Sequence, residues 1–428
     1  MPSDWTPSTL GECADFMSGG TPSKSNGDYW NGYIPWFSGK DLKSFYLNDS
    51  EDHLTHEGAD TGSRLVPAGT ILLLVRGMTL HNDVPIGVVT RESAFNQDIK
   101  ALQAKDGMQQ SYLAHWLVSQ KPRLLSTVHA AGHGTGVLAT DRLKALDLDL
   151  PSPNEQATIA NMFDLIEGKI EQNRRTAAKL EELARATFRA WFVDFAPVHA
   201  KAAGQTAYPG LPPAAFAALP TTFIDSPLGP IPKGWEAKAI GEVVTIKGGG
   251  TPSTKNDDYW DNGENAWATP KDLSGITLPV LLDTMRHITD AGVENISSGL
   301  LPVGTVLMSS RAPVGYLAIT AVKSAINQGF IAMICEGPLP NVYILRWAEH
   351  SMETIKGNAS GTTFAEINKK NFRPLPVIVP PPLLAEAFEQ YASPMHSLLV
   401  AGERESRQLA SLRDYLLPRL LSGTARVR

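Results

Sequence analysis

The sequence predicts an α+β fold: two tandem repeated domains of mixed α/β structure, separated by a long antiparallel two-helix coiled coil. Two observations carry this expectation. The segment Ser18–Trp30 returns almost residue for residue as Gly248–Trp260, with Gly-Thr-Pro-Ser near its start and Asp-Tyr-Trp at its end. Each copy is then followed by apolar residues spaced alternately by four and three, the signature of a heptad seam.

The repeat extends well beyond its opening. Trp5 pairs with Trp235, and Gly11-Glu12 with Gly241-Glu242. Pro35–Leu42 is echoed by Ala266–Leu273, bringing Lys40 into register with Lys271. Pro67-Ala68-Gly69-Thr70, an apolar strand and Arg76 return as Pro302-Val303-Gly304-Thr305, a strand and Arg311. Asn96-Gln97 returns as Asn327-Gln328, and Gly134-Thr135 as Gly361-Thr362. The offset drifts slightly along the alignment, as it does where surface loops differ in length between two copies of one fold. Each copy, residues 1–150 and 235–380, reads as short strands punctuated by proline and glycine, with one helix around Gln110–Leu125 matched by another around Asn341–Lys356. Two copies of one domain suggest two copies of one binding task.

The helical segments occupy residues 151–192 and 381–428. In the first, Ile159, Phe163, Ile166, Ile170, Asn173, Ala177, Leu180, Ala184, Thr187 and Trp191 form the seam. As one helix of about 37 residues it is roughly 55 Å long, more than one small domain can bury. In the second, the stripe comprises Phe388, Met395, Leu399, Gly402, Ser406, Leu409, Leu412, Leu416 and Leu420, with Pro394 expected to kink or restart the helix. Asn173 on the seam either sets register as a buried polar residue or faces a partner. Residues 193–234, rich in proline and alanine, read as a linker with little to pack.

Bulk properties narrow the function. A length of 428 residues suits two domains with connecting structure. The apolar runs, such as Ile71–Val75, are strand-length, so no membrane span is expected. The start Met1-Pro2-Ser3-Asp4-Trp5 resembles no secretory signal, and a cytoplasmic location is expected. Cys13 and Cys335 are neither equivalent in the repeat nor closely spaced, and read as reduced packing residues. A net charge of −6 argues against indiscriminate coating of nucleic acid, but is compatible with a local basic face.

Catalytic motifs are missing. No Gly-x-x-x-x-Gly-Lys-Ser/Thr loop occurs, no Asn-Pro-Pro-Tyr or Asp-Pro-Pro-Tyr tetrapeptide, and no His-Glu-x-x-His or Cys/His cluster. Glu167-Gly168-Lys169 imitates part of a nuclease motif but lies within the expected helix, and reads as solvated surface.

The Gly-Thr-Pro-Ser…Tyr-Trp…Pro-Trp opening, the Asn-Gln strand, the helix exit Trp191–Phe195, the restart Gly229–Trp235 and the ending Leu412…Leu416-Leu417…Leu421-Ser422-Gly423 together resemble type I restriction-modification specificity subunits, over almost the whole chain. The resemblance implies two target-recognition domains, each reading one half of a bipartite, asymmetric double-stranded DNA target, with the paired helices as spacer. It implies two methyltransferase subunits and restriction/translocase subunits as partners. It also implies no catalysis and no cofactor on this chain, with S-adenosylmethionine, ATP and Mg belonging to the partners. The competing expectation is a scaffold whose repeated domains bind protein or carbohydrate. A fused enzyme with its own methyltransferase is discounted for want of chain length.

For DNA contact, Lys24, Lys40, Lys255, Lys271, Arg76 and Arg311 are candidates for phosphate or guanine. Asn82, Asn96, Gln97, Asn327 and Gln328 carry amides suited to adenine edges, and His81, His133, Thr135 and Thr362 lie in expected loops. Against this, Asn96-Gln97 and Asn327-Gln328 recur at matching positions. That favours tying a loop to backbone, since domains with different targets need different readers. The Gly-Thr-Pro-Ser segments read as turns, and Trp30 and Trp260 as core rather than stacking platforms.

Overall fold

The computed structural model describes residues 5–130, 134–360 and 365–426. Its internal contacts divide it into two units, Met1–Gln172 with Glu405–Arg428, and Asn173–Arg404.

In the first unit a five-stranded sheet runs in the order Ala14–Ser18, Ile99–Ala104, Ile71–Leu74, Ile86–Val89, Tyr46–Leu47. Only the last pair is parallel. The central strand Ile71–Leu74 is wholly apolar and wholly buried, as a strand covered on both faces must be. A second sheet orders Asp52–Leu54, Trp30–Phe37, Ser93–Phe95 and Leu65–Val66. Thr6–Thr9 pairs antiparallel with Asp147–Leu150, placing the two ends of the first repeat side by side.

The second unit repeats this plan. Its five-stranded sheet runs Thr245–Lys247, Phe330–Ile334, Val306–Ser309, Leu317–Thr320, Val280–Leu281, again with only the last pair parallel. A smaller sheet joins His287–Ile288, Asn265–Ala268 and Ser324–Ile326. Glu236–Ala239 closes against Pro376–Val379.

Two 40-residue helices follow the repeats, Pro153–Phe192 and Pro382–Leu421. Each opens on proline, whose fixed φ suits a first helical position. The second ends where Gly423 adopts a φ of 67°, which glycine does without steric cost. Within the first unit, Ile159, Phe163 and Ile166 share a buried cluster with Leu417, Leu420 and Leu421, and Glu167 pairs with Arg413 at 2.6 Å. Within the second, Asn173 Nδ2 donates to Gly402 O at 3.2 Å, Ala177 and Leu399 share a cluster, and the Trp191 and Phe388 rings lie 6.1 Å apart. Rising numbers on one helix meet falling numbers on the other in each unit, so the helices pair antiparallel there.

Four expectations need correction. Pro394 does not interrupt its helix, which runs unbroken to Leu421; Pro394 and Gln390, whose carbonyl loses its helical N–H partner, are both exposed, where an unpaired carbonyl costs least. Leu412 is 47% exposed rather than on the seam, and Leu417 and Leu421 are buried instead. A straight helix drifts about 20° per heptad from a strict seven-residue repeat, so the buried stripe moves around it. Glu167 is 4% exposed rather than solvated, because the Arg413 guanidinium reaches it. Finally, the proline-rich segment after the first helix packs well. Its helices Ala196–Ala202 and Pro213–Ala217 bury Val198 and Phe216 in the core of the second unit.

Candidate nucleic-acid interface

The candidate residues gather where strands end. In the first unit Ser38–Asp41 follows strand Trp30–Phe37, Arg76 lies just beyond Ile71–Leu74, and Asn96-Gln97 follows Ser93–Phe95. Backbone bonds bind these exits together: Asn96 N donates to Phe37 O at 3.0 Å, and Val75 N and Arg76 N both donate to Asp98 O, at 2.8 and 3.2 Å. The second unit repeats the arrangement, with Asn327 N donating to Ala268 O at 3.0 Å and Ser310 N to Gly329 O at 2.8 Å.

Against these exits folds the Gly-Thr-Pro-Ser turn. Gly20 N donates to Phe95 O, and Gly250 N to Ile326 O, each at 3.0 Å. The approach demands glycine just before: a Cβ on Gly19 would stand 2.1 Å from Phe95 O, and one on Gly249 would stand 1.9 Å from Ile326 O. Thr21 Oγ1 donates to Gln97 Oε1, and Thr251 Oγ1 to Gln328 Oε1, both at 2.7 Å. Asn96 Oδ1 accepts from Asp98 N at 3.1 Å, and Asn327 Oδ1 from Gly329 N at 2.8 Å. These four amides are therefore engaged alike in both domains, as expected of parts of the shared frame.

The tryptophans belong to the same frame. Trp30 meets Trp36 edge to face at 5.2 Å, and Trp260 meets Trp267 at 5.1 Å. Trp30 Nε1 donates to Ser23 O and Trp260 Nε1 to Ser253 O, at 3.1 and 3.0 Å. Trp36 and Trp267 are buried, whereas Trp30 and Trp260 are only half-buried, each with a face left for a cation.

Around this frame the charges differ between copies. In the first unit Lys24 Nζ stands 5.9 Å from the Trp30 ring centroid. Lys40 bridges Glu51 at 2.9 Å and Asp52 at 3.2 Å. Hydrogen bonds to Glu51 and then Asp52 hold the Lys40 ammonium above its ordinary range. A cleft of about 440 Å³ opens among Lys24, Trp30, Asn31, Glu51, Asp52 and His53. In the second unit Lys255 and Lys271 are exposed, and Arg286 lies over Trp260 at 3.6 Å.

Arg76 belongs to a short ribbon with Gly136–Val137 and His129–Ala130. His81 Nε2 hydrogen-bonds Gly134 O at 2.6 Å, one residue from Thr135. Asn82 is exposed at the end of the 3₁₀ turn Met78–His81. Arg311 bridges Glu366 in the backbone and faces its carboxylate at 3.8 Å. His133 and Thr362 lie outside the described residues. Sequence reasoning missed Arg286, Glu51 and Asp52. Their signal is a charge reversal just before the aligned pair His53 and His287.

Each unit thus carries the same frame, with different charges arranged around it. The chain belongs to the family of the type I restriction modification DNA specificity domain, which matches residues 2–182 and 232–387. It is similar to the MjaIX type I restriction enzyme specificity subunit of Methanocaldococcus jannaschii, 25% identical over all of this chain and 95% of that one. Over 66% of this chain and 70% of the relative it is 26% identical to the HindI specificity subunit of Haemophilus influenzae. The fold matches a type I restriction-modification S subunit from M. genitalium with a TM-score of 0.60, at 15% identity, covering 97% and 96% of the two chains. The protein is thus a specificity subunit, the DNA-recognising and noncatalytic component of a restriction-modification complex. Among the described residues no cluster of His, Cys, Asp and Glu could hold a metal ion, and no helix is long and apolar enough to cross a membrane.

Proposed function

We propose that the chain reads a bipartite, asymmetric double-stranded DNA target, residues 1–150 reading one half and residues 235–380 the other. The observation that carries this reading is the pair of near-identical frames bearing unlike charges. A shared frame supports a shared task, and unlike side chains support unlike half-sites. Lys24, Lys255, Lys271, Arg76 and Arg311 supply cations for the backbone, and His81, Asn82 and Thr135 lie beside Arg76 in the first domain. His133 and Thr362 complete the proposed contact set.

The long helices act as a ruler setting the number of unread base pairs, and as docking faces for two methyltransferase subunits. Restriction/translocase subunits join that complex in the cytoplasm. S-adenosylmethionine, ATP and Mg serve those partners rather than this chain.

Exchange of residues 1–150 for the corresponding domain of another specificity subunit tests the reading. Sequencing of methylated adenines in cells carrying the chimaera is expected to show one half-site altered and the other retained. Alteration of both halves would end the idea of independent readers, and a methyltransferase complex without salt-dependent duplex binding would favour a scaffold.

A further inference from the structure

Trp30 and Trp260 hold the same position in two copies of one frame, yet what lies above them differs. Each ring is fixed by the edge of a second tryptophan and by a hydrogen bond to a serine carbonyl. In the first domain the neighbouring strand brings Asp52, beside Glu51 and facing Lys40. In the second, the residue before His287 is Arg286, its guanidinium 3.6 Å from the Trp260 centroid and 5.8 Å from that of Trp267. The two histidines anchor this comparison, since His53 pairs with Asp49 at 2.8 Å and His287 with Asp283 at 2.9 Å, each four residues earlier.

We infer that Arg286 is a specificity-determining residue of the second domain, reading a guanine through its guanidinium fork; this rests on the DNA-reading function proposed above. Three features support it. The side chain is exposed and takes part in no ion pair among the described residues, so its donors are open to a ligand. Stacking on an indole leaves the in-plane N–H groups free and orients them, which favours a two-point bond to guanine O6 and N7. The frame does not require an arginine at that position, because Trp30 keeps the same ring and hydrogen-bond geometry with Asp52 there and with Lys24, from another segment, 5.9 Å from its centroid. Phosphate contacts are common to every sequence and suit the cations present in both copies, such as Arg76 and Arg311. A residue whose charge reverses between otherwise matching copies instead follows the difference between their targets.

The test uses the full chain in complex with its methyltransferase subunits, comparing wild type with Arg286→Ala and Arg286→Lys. Methylated-adenine sequencing is expected to show the second half-site relaxed at one guanine-bearing position, with discrimination there reduced about ten- to a hundredfold. The first half-site, the melting temperature and the salt slope of duplex binding remain as in wild type. Arg286→Lys retains the charge without the fork and is expected to remain relaxed. Unchanged methylation by Arg286→Ala would overturn the inference. So would uniform weakening on all sequences with a salt slope smaller by about one, the behaviour of a phosphate contact. If the wild-type complex itself methylates no defined bipartite sequence, the underlying DNA-reading proposal fails, independently of the variants.

Discussion

Arg346 and Glu181 form a two-point ion pair inside the second unit, Nη2 to Oε1 at 2.6 Å and Nη1 to Oε2 at 2.9 Å, with side chains only 4% and 6% exposed. It joins the first long helix to helix Asn341–His350, and Glu349 and Arg185 extend it into a network. Removing one partner of a buried pair costs more than the pair itself contributes, because a charge is stranded away from water. Glu181→Gln is expected to destabilise the protein by about 2–4 kcal/mol, Glu349 offsetting part of the loss. A melting temperature within a degree of wild type would refute this.

His396 faces the same network. Burial, then the charge of Arg346, pushes its imidazole down to about 4, and its Nδ1 has no hydrogen-bond partner among the described residues. The unfolded chain takes up this proton near pH 6.5, while the folded chain resists until about pH 4. Stability is thus unaffected above pH 6.5 and falls as pH drops from there toward 4. The half-buried site limits this contribution to on the order of 1–2 kcal/mol. Melting curves for His396→Gln should fall less steeply over that window, and parallel curves would dismiss the assignment.

Gly249 leaves no room for a side chain, since a Cβ would meet the Ile326 carbonyl oxygen at 1.9 Å. Gly249→Ala is expected to pry the Gly-Thr-Pro-Ser turn off the strand end and cost about 2 kcal/mol or more. Hydrogen exchange should rise at Gly250 and Asn327, with the first domain unchanged. Wild-type protection at Gly250 would contradict the steric argument.

Deleting four residues between Glu167 and Leu183 removes about one turn, or roughly 6 Å of helix. The spacer between half-sites is expected to shorten while both half-sites stay the same. A methylome with the original spacer would discard the ruler.

Much of this organisation was legible in the sequence because it is periodic. Heptad spacing marked Ile159, Phe163, Ala177 and Trp191 as buried, and the structure buries them all. Asn173 was legible as a seam residue, and it bonds across to Gly402. Leu412 and Glu167 were misjudged because a straight helix turns its stripe gradually, and because a cation from another element can bury a carboxylate. The packed segment after the first helix escaped notice, since isolated apolar residues such as Val198 and Phe216 announce no partner.

The amino-acid sequence alone determined that this protein is a doubled unit with two long helices, because repetition and apolar period are properties of order along one chain. Only the tertiary structure decided which side chains bond to one another within each frame. The Asn-Gln amide oxygens accept bonds from Thr21, Thr251 and their own loops, while Arg286, in no motif, came to rest on Trp260. A side chain's hydrogen-bond partners depend on distances between segments far apart in the chain, and only the folded backbone sets those distances.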